Sequence, residues 1–236
     1  MNLIILHPDD FIAEGRVRLE GRRLEHVFSI HRAKVGDSLK VGLLGANMGI
    51  GRIAMLDGQV LEMDVELDQP PQSKLPLNLV VALPRPKALN RVLAAATSLG
   101  VQRIVLMNAW RVEKSYWKSP RLSEENLFRQ RVLGLEQGVD TVLPELQLAR
   151  FFADFVLNDL PKMAQGTLCL VAHPQAAEAC PADVNRPCTL VLGPEGGFIP
   201  DELAALERIG FMPVRLGGRV LRTETALAAL VGRLYG

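Results

Sequence analysis

Apolar and acidic residues alternate with a period of two over Val60–Leu67, where Glu62, Asp64 and Glu66 separate Leu61, Met63, Val65 and Leu67. Such alternation predicts a half-buried strand. A second short run, Ser38–Leu44, lies upstream, and glycines at 36, 42, 45, 49, 51 and 58 punctuate both stretches at turn-like intervals. This part of the chain reads as a small β-barrel or sheet domain. A polar connector follows, Asp68-Gln69-Pro70-Pro71-Gln72-Ser73-Lys74. Its proline pair is excluded from a sheet interior. The boundary is placed there, giving domains at residues 1–72 and 73–236, which suits a chain of 236 residues.

Beyond the connector the period changes. Leu77–Leu83 is an apolar run interrupted only by Asn78, while Leu89, Val92, Leu93 and Ala96 recur at helical spacing and stop at Gly100. With a strand at Arg103–Met107 this makes a βαβ unit. The alternation continues with helices at Ser123–Gln137, near Arg150–Asp159, at Pro200–Ile209 and at Thr223–Leu234, and strands at Thr167–Ala172, Thr189–Leu192 and Pro213–Leu216. Buried parallel strands flanked by helices, an α/β domain, follow from that order.

Composition narrows the class. The chain is 48% hydrophobic and 22% charged, as ordinary globular proteins are. Its start, Met1-Asn2-Leu3-Ile4-Ile5-Leu6-His7-Pro8, has no basic leader or long apolar core, and no run approaches the roughly 18 apolar residues of a membrane span. The cysteines Cys169, Cys180 and Cys188 are odd in number and form no CxxC pair, which fits inert thiols in a reducing cytoplasm. The net charge of +1 conceals a pattern: residues 1–72 sum to −3, residues 73–140 to +6 and residues 141–236 to −2. A basic middle suits either a phosphate backbone or a solvated mixed surface.

Several chemistries are excluded by missing residues. There is no GxxxxGK[ST], no GxGxxG after the first strand of the α/β domain and no HExxH. His7, His26, His31 and His173 lack metal-ligand spacing, so no metal is expected. The last serine is Ser123, which leaves no GxSxG elbow in the second half. Two glycine-bearing strand-to-helix junctions remain, Leu192-Gly193-Pro194-Glu195-Gly196-Gly197-Phe198 and Leu216-Gly217-Gly218-Arg219-Val220-Leu221-Arg222-Thr223-Glu224-Thr225-Ala226. Each falls where an open α/β sheet binds ligands, outside the carboxyl ends of its strands. In the first, Pro200 suits the opening turn of a helix; in the second, Thr223 is a plausible N-cap with Glu224 in the first turn. Either loop alone reads equally as a tight turn.

These paired motifs resemble the signature of the RsmE family, the 16S ribosomal RNA uridine N3-methyltransferases of the SPOUT class. His7-Pro8, Arg32–Asp37, Leu83–Arg85, Ser98-Leu99-Gly100, Glu136-Gln137, Pro144-Glu145 and Ala172-His173-Pro174 follow in the family's order. The resemblance implies an N-terminal PUA-like β-barrel that helps to hold RNA and a C-terminal SPOUT-type parallel sheet with a trefoil knot. It further implies S-adenosyl-L-methionine as cofactor, 16S ribosomal RNA or the small ribosomal subunit as partner, and a cytoplasmic homodimer. The stripe Leu227, Leu230, Val231 and Leu234 is compatible with packing across a two-fold.

By the same resemblance, Ala172, His173, Leu192, Gly193, Pro194, Glu195, Gly196, Gly197, Leu216, Gly217, Val220, Leu221 and Thr225 bind the cofactor. Uridine N3 carries a proton that must leave, and a cation that stabilises the developing uracil anion lowers that barrier. Arg222 is the candidate for that task; otherwise it forms an ion pair with Glu224 or Glu195 that fixes the loop. Glu224 either accepts the proton or serves the helix start. Arg32, Arg85, Lys87 and Arg91 are candidates for the RNA phosphates. Trp110, Tyr116 and Trp117, beside Arg111, Lys114 and Lys118, suit stacking on an extruded base, although core or dimer packing is the commoner use.

The chain departs from the family pattern in places. Ala95 and Ser98 stand where the family has Lys and Glu, and Asp140 stands near the expected basic residue after Glu136-Gln137. An acid facing phosphate there repels it. The cofactor motifs are intact while positions near the expected RNA path have changed. A methyltransferase of this fold acting on a different RNA nucleotide, and a non-catalytic RNA-binding or ribosome-assembly protein, are therefore the alternatives.

Overall fold

The computed structural model describes residues 2–28, 32–184 and 186–236, which leaves His31 outside the described residues. The chain divides into two units: residues up to Ser73 with Val132–Leu143, and Lys74–Arg131 with Pro144–Gly236.

The first unit carries β1 (Ile4–Leu6), β2 (Phe11–Ala13), β3 (Arg16–Leu19), α1 (Gly21–His26), β4 (Ser38–Leu43), β5 (Met48–Leu56) and β6 (Leu61–Gln69). They form one sheet in the order β1-β4-β5-β6-β3-β2, parallel only between β1 and β4. The alternation in β6 explains its pairing. Leu61 and Met63 are buried with Val17, Leu19, Val41 and Ile53, while Glu62 on the opposite face meets Arg18 of β3 at 2.7 Å. Leu3 and Ile5 pack with Met48, Val132 and Leu135. The buried Glu136 takes both ends of the Arg22 guanidinium, at 2.9 and 2.7 Å, and its carbonyl accepts the Asn2 and Leu3 N–H groups. No local signal in residues 132–143 announces that they belong with the first sheet.

The second unit is a parallel sheet of β7 (Leu75–Ala82), β8 (Val101–Met107), β9 (Glu145–Ala149), β10 (Leu168–Ala172), β11 (Glu178–Ala179), β12 (Cys188–Leu192) and β13 (Met212–Arg215), in the order β11-β13-β10-β12-β7-β8-β9. The largely apolar strands β7 and β12 sit at its middle with both faces covered, as parallel strands require, and their buried polar side chains meet where Asn78 donates to Thr189 Oγ1 at 3.2 Å. Helix α2 (Pro86–Ser98) opens on Pro86 and buries Leu89, Val92, Leu93 and Ala96. It ends at Gly100, whose φ of +78° few other residues tolerate. The remaining helices are α3 (Glu124–Gly138), of which residues 132–138 belong to the first unit, α4 (Phe152–Asp154), a wide π turn (Phe155–Asp159), α5 (Leu160–Met163), α6 (Pro200–Arg208) and α7 (Thr223–Tyr235). Pro161 accounts for the wide turn, because it has no N–H to return to residue 157 and its ring crowds that carbonyl. β9 falls where the sequence pattern predicts no element; it is an edge strand, and only Ala149 among its five residues is buried.

The order of the strands determines where the last loops lie. The chain passes from β12 to β13 on the far side of β10, then returns so that α7 packs against α2. Residues 216–222 therefore cross the carboxyl ends of the central strands. Among the described residues no helix is long and apolar enough to cross a membrane.

Candidate active site

At the carboxyl ends of β10, β12 and β13, three loops enclose a cavity of about 350 Å³. Ala172, His173 and Pro174 form one wall, Leu192–Glu195 with Gly197 and Phe198 a second, and Val214–Gly217 with Arg219–Thr223 a third; Ala226 and Leu230 of α7 close the base. His173 N–H bonds the Val214 carbonyl at 2.9 Å, which ties the first wall to the third. Gly197 donates to the Pro194 carbonyl at 2.8 Å in a tight turn and has a φ of +72°. A Cβ on Gly193 would come within 3.2 Å of two Phe198 ring carbons, so glycine keeps that wall in place.

Eleven of the thirteen residues expected at the cofactor line this cavity; Gly196 and Thr225 do not. Gly196 turns outward and its carbonyl accepts from Arg111, while Thr225 is exposed on α7. Val214, Arg215 and Leu230 are further lining residues brought in by sheet order, while Phe198 and Ala226 close the two glycine motifs themselves.

A second cavity, of about 280 Å³, is lined by Arg85, Ala88, Arg91, Glu195, Arg222, Thr223 and Glu224. Glu195, Arg222 and Thr223 line both cavities. Neither carboxylate is paired with Arg222. Glu195 accepts the Arg85 N–H at 3.1 Å, and Glu224 accepts the Arg91 Nε–H at 3.0 Å. Among the described residues Arg222 forms no ion pair, so the loop-fixing role does not fall to it. Arg222 rather than Thr223 is the N-cap residue of α7; Thr223 begins the helix, and the Arg222 carbonyl accepts the Ala226 N–H at 2.8 Å.

The other expected residues are dispersed. Arg85 and Arg91 line the second cavity, Lys87 is exposed outside it, and Arg32, with a φ of +49°, belongs to the other unit. Asp140 is 5% exposed and its carboxylate accepts the Thr141 and Val142 N–H groups, so it closes a turn instead of facing phosphate. Ser98 donates to the Ala95 carbonyl within α2. The stripe Leu227, Leu230, Val231 and Leu234 is buried in the core of its own unit and does not supply a free face for a partner.

Trp117 is half-buried, donates from Nε1 to Asn108 Oδ1 at 2.9 Å and carries Arg150 over its ring. Tyr116 donates to Glu113 at 3.0 Å; desolvation raises its phenol pKa, helped by that bond and by Glu113 and Glu195 and opposed by Arg85. The three cysteines are free thiols, and burial pushes Cys188 up to about 12. No cluster of three His, Cys, Asp or Glu side chains suited to a metal occurs among the described residues.

The family model for the RNA methyltransferase domain matches residues 71–235. Across 97% of the chain and 88% of the relative, the sequence is 27% identical to the ribosomal RNA small subunit methyltransferase E of Treponema pallidum. Across 98% and 91%, it is 29% identical to the protein of the same name from Mycobacterium bovis. The fold is shared with a Neisseria gonorrhoeae ribosomal RNA small subunit methyltransferase E bound to S-adenosyl methionine, with a TM-score of 0.73, 22% identity, and coverage of 98% of this chain and 95% of that one. A Legionella pneumophila protein in complex with SAM gives a TM-score of 0.74 at 23% identity, over 98% and 94%. The relationship to RsmE carried by the two glycine motifs thus extends over nearly the whole chain, and the fold is SPOUT-type. The chain belongs to the family of the RNA methyltransferase domain.

Proposed function

We propose that this protein is an S-adenosylmethionine-dependent methyltransferase of N3 of a uridine in 16S ribosomal RNA. The observation that carries the reading is the sharing of Glu195, Arg222 and Thr223 by two cavities of different chemistry, one walled mainly by glycine loops and apolar side chains, the other mainly by three arginines and two glutamates. The first fits the cofactor: its glycine loops offer main-chain groups to an adenosine, and a Cβ at Gly193 would press on Phe198, which lines the same wall. Ala172, His173, Leu192–Glu195, Gly197, Leu216, Gly217, Val220 and Leu221 would hold it. When bound, S-adenosylmethionine supplies an activated methyl group, so no side-chain nucleophile is required.

The second cavity receives the target base. Arg85 and Arg91 hold the nucleotide's phosphates, and the unpaired Arg222 cation stabilises the uracil anion left when N3 loses its proton. Arg91 holds Glu224 in place, so Glu224 is a positioning residue or the proton's first acceptor. The domain at 1–72 acts as a PUA-like RNA holder and that at 73–236 as the catalytic domain. Lys87 and Arg32 add charge for RNA. By the same family resemblance, the working form is a cytoplasmic homodimer.

Nucleoside mass mapping tests this reading. Purified full-length protein, S-adenosylmethionine and small subunits from cells lacking the gene are expected to yield one new 3-methyluridine in 16S RNA. A different methylated nucleoside would refute the uridine assignment, and the absence of any would refute the enzyme reading.

A further inference from the structure

Trp110 is 78% exposed, although its ring is among the largest apolar surfaces a side chain offers. Its backbone is nevertheless anchored. The Trp110 N–H donates to the Glu202 carboxylate at 2.7 Å, and that carboxylate, 6% exposed, also accepts the Ile199 N–H at 3.1 Å where α6 begins. The next residue, Arg111, donates to the Gly196 carbonyl, and a Cβ on Gly196 would lie 3.0 Å from Arg111 Cδ. Trp110 is therefore fixed next to the loop whose Glu195 lines both cavities.

Six residues on, the Tyr116 phenol lies within electrostatic reach of Arg85 and Glu195, two residues of the second cavity. Arg111, Lys114, Lys118 and Arg121 along this segment are exposed, while the Glu113 carboxylate is engaged by Tyr116. Tyr116 and Trp117 are packed against the core. Of the three rings Trp110 is the one presented to solvent, on a rigid base and among cations. A flat ring flanked by fixed positive charge suits an unpaired nucleobase with its phosphates.

We infer that Trp110 is a stacking platform for an unpaired base of the RNA strand adjoining the target nucleotide, with Arg111 and Lys114 meeting the neighbouring phosphates. This rests on the RNA reading proposed above. Because the ring is exposed, Trp110→Ala is expected to fold normally.

Filter retention of small subunits from cells lacking the gene, measured across a salt series, tests the inference. Trp110→Ala is expected to bind about 10-fold more weakly at every salt concentration with an unchanged salt slope, and Trp110→Phe to recover most of the loss. Equal binding by Trp110→Ala and the unaltered protein overturns the stacking role while leaving the methyltransferase reading intact. Loss of the oligomer or of S-adenosylmethionine affinity in Trp110→Ala also overturns it, since the ring would then serve a protein contact. Failure of the unaltered protein to bind subunits at all sinks the RNA reading and this inference with it.

Discussion

Arg91 on α2 holds Glu224 at the start of α7 through Nε and Nη2, 3.0 and 2.9 Å from the same carboxylate oxygen. The pair joins two helices that flank the second cavity and leaves Arg222, two residues earlier, without a carboxylate partner among the described residues. The cation in the shared wall is thus available to a substrate rather than neutralised by its neighbour.

Arg222→Gln is expected to lower the single-turnover methylation rate by about 10²- to 10³-fold, the usual cost of removing one anion-stabilising group. Cofactor affinity, read by calorimetry, is expected to change much less. A rate within a few-fold of the unaltered protein would remove Arg222 from the chemistry.

The Arg91–Glu224 pair should couple only weakly in stability. The Arg91 side chain is 56% exposed, so a double-mutant cycle by urea denaturation is expected to give about 0.2–1 kcal/mol. A much larger coupling would mean that the two helices depend on this ion pair for their packing.

Gly193→Ala and Gly218→Ala separate the walls of the cavity from its surroundings. The first places a methyl group 3.2 Å from the Phe198 ring and is expected to weaken S-adenosylmethionine binding on the order of 10-fold, by about 1.4 kcal/mol. The second meets nothing within 4 Å and is expected to leave S-adenosylmethionine affinity within about 2-fold. Calorimetric titration of both variants distinguishes these outcomes.

Glu202→Ala removes the acceptor of two main-chain N–H groups, those of Trp110 and Ile199. Because the carboxylate is buried, the expected loss of unfolding free energy is about 2–3 kcal/mol, read by chemical denaturation. Glu202→Gln, which keeps one acceptor oxygen, is expected to lose less.

Burial raises the Cys188 thiol from 9.0 to about 12 in the folded state. The fold therefore favours the protonated thiol, a contribution fully present below about pH 9 and lost as pH rises from 9 toward 12. Unfolding free energies measured between pH 8 and pH 11, as chosen conditions, should fall more steeply for the unaltered protein than for Cys188→Ala. Parallel slopes would show that other groups govern the alkaline limb.

The two glycine loops were legible in the sequence because turns and close approaches demand residues without Cβ, and Gly193 and Gly197 show that demand in the structure. The central strands were equally legible as runs that are apolar but for Asn78 and Thr189. Harder to see were elements whose signal is not local. β9 is stabilised on one edge by β8, and Val132–Leu143 pack with residues far away in sequence. Val214 and Leu230 reach the cavity wall through sheet order, which spacing along the chain does not encode. The partners of Glu195 and Glu224 escape a sequence reading for the same reason, since Arg85 and Arg91 lie more than a hundred residues away.

Calorimetric titration of the folded full-length protein with S-adenosylmethionine tests the central claim most directly, because everything else depends on the two glycine loops forming one binding cavity. One saturable site per chain, weakened by Gly193→Ala and retained in Arg222→Gln, is the predicted result. No heat of binding from well-folded protein would contradict it.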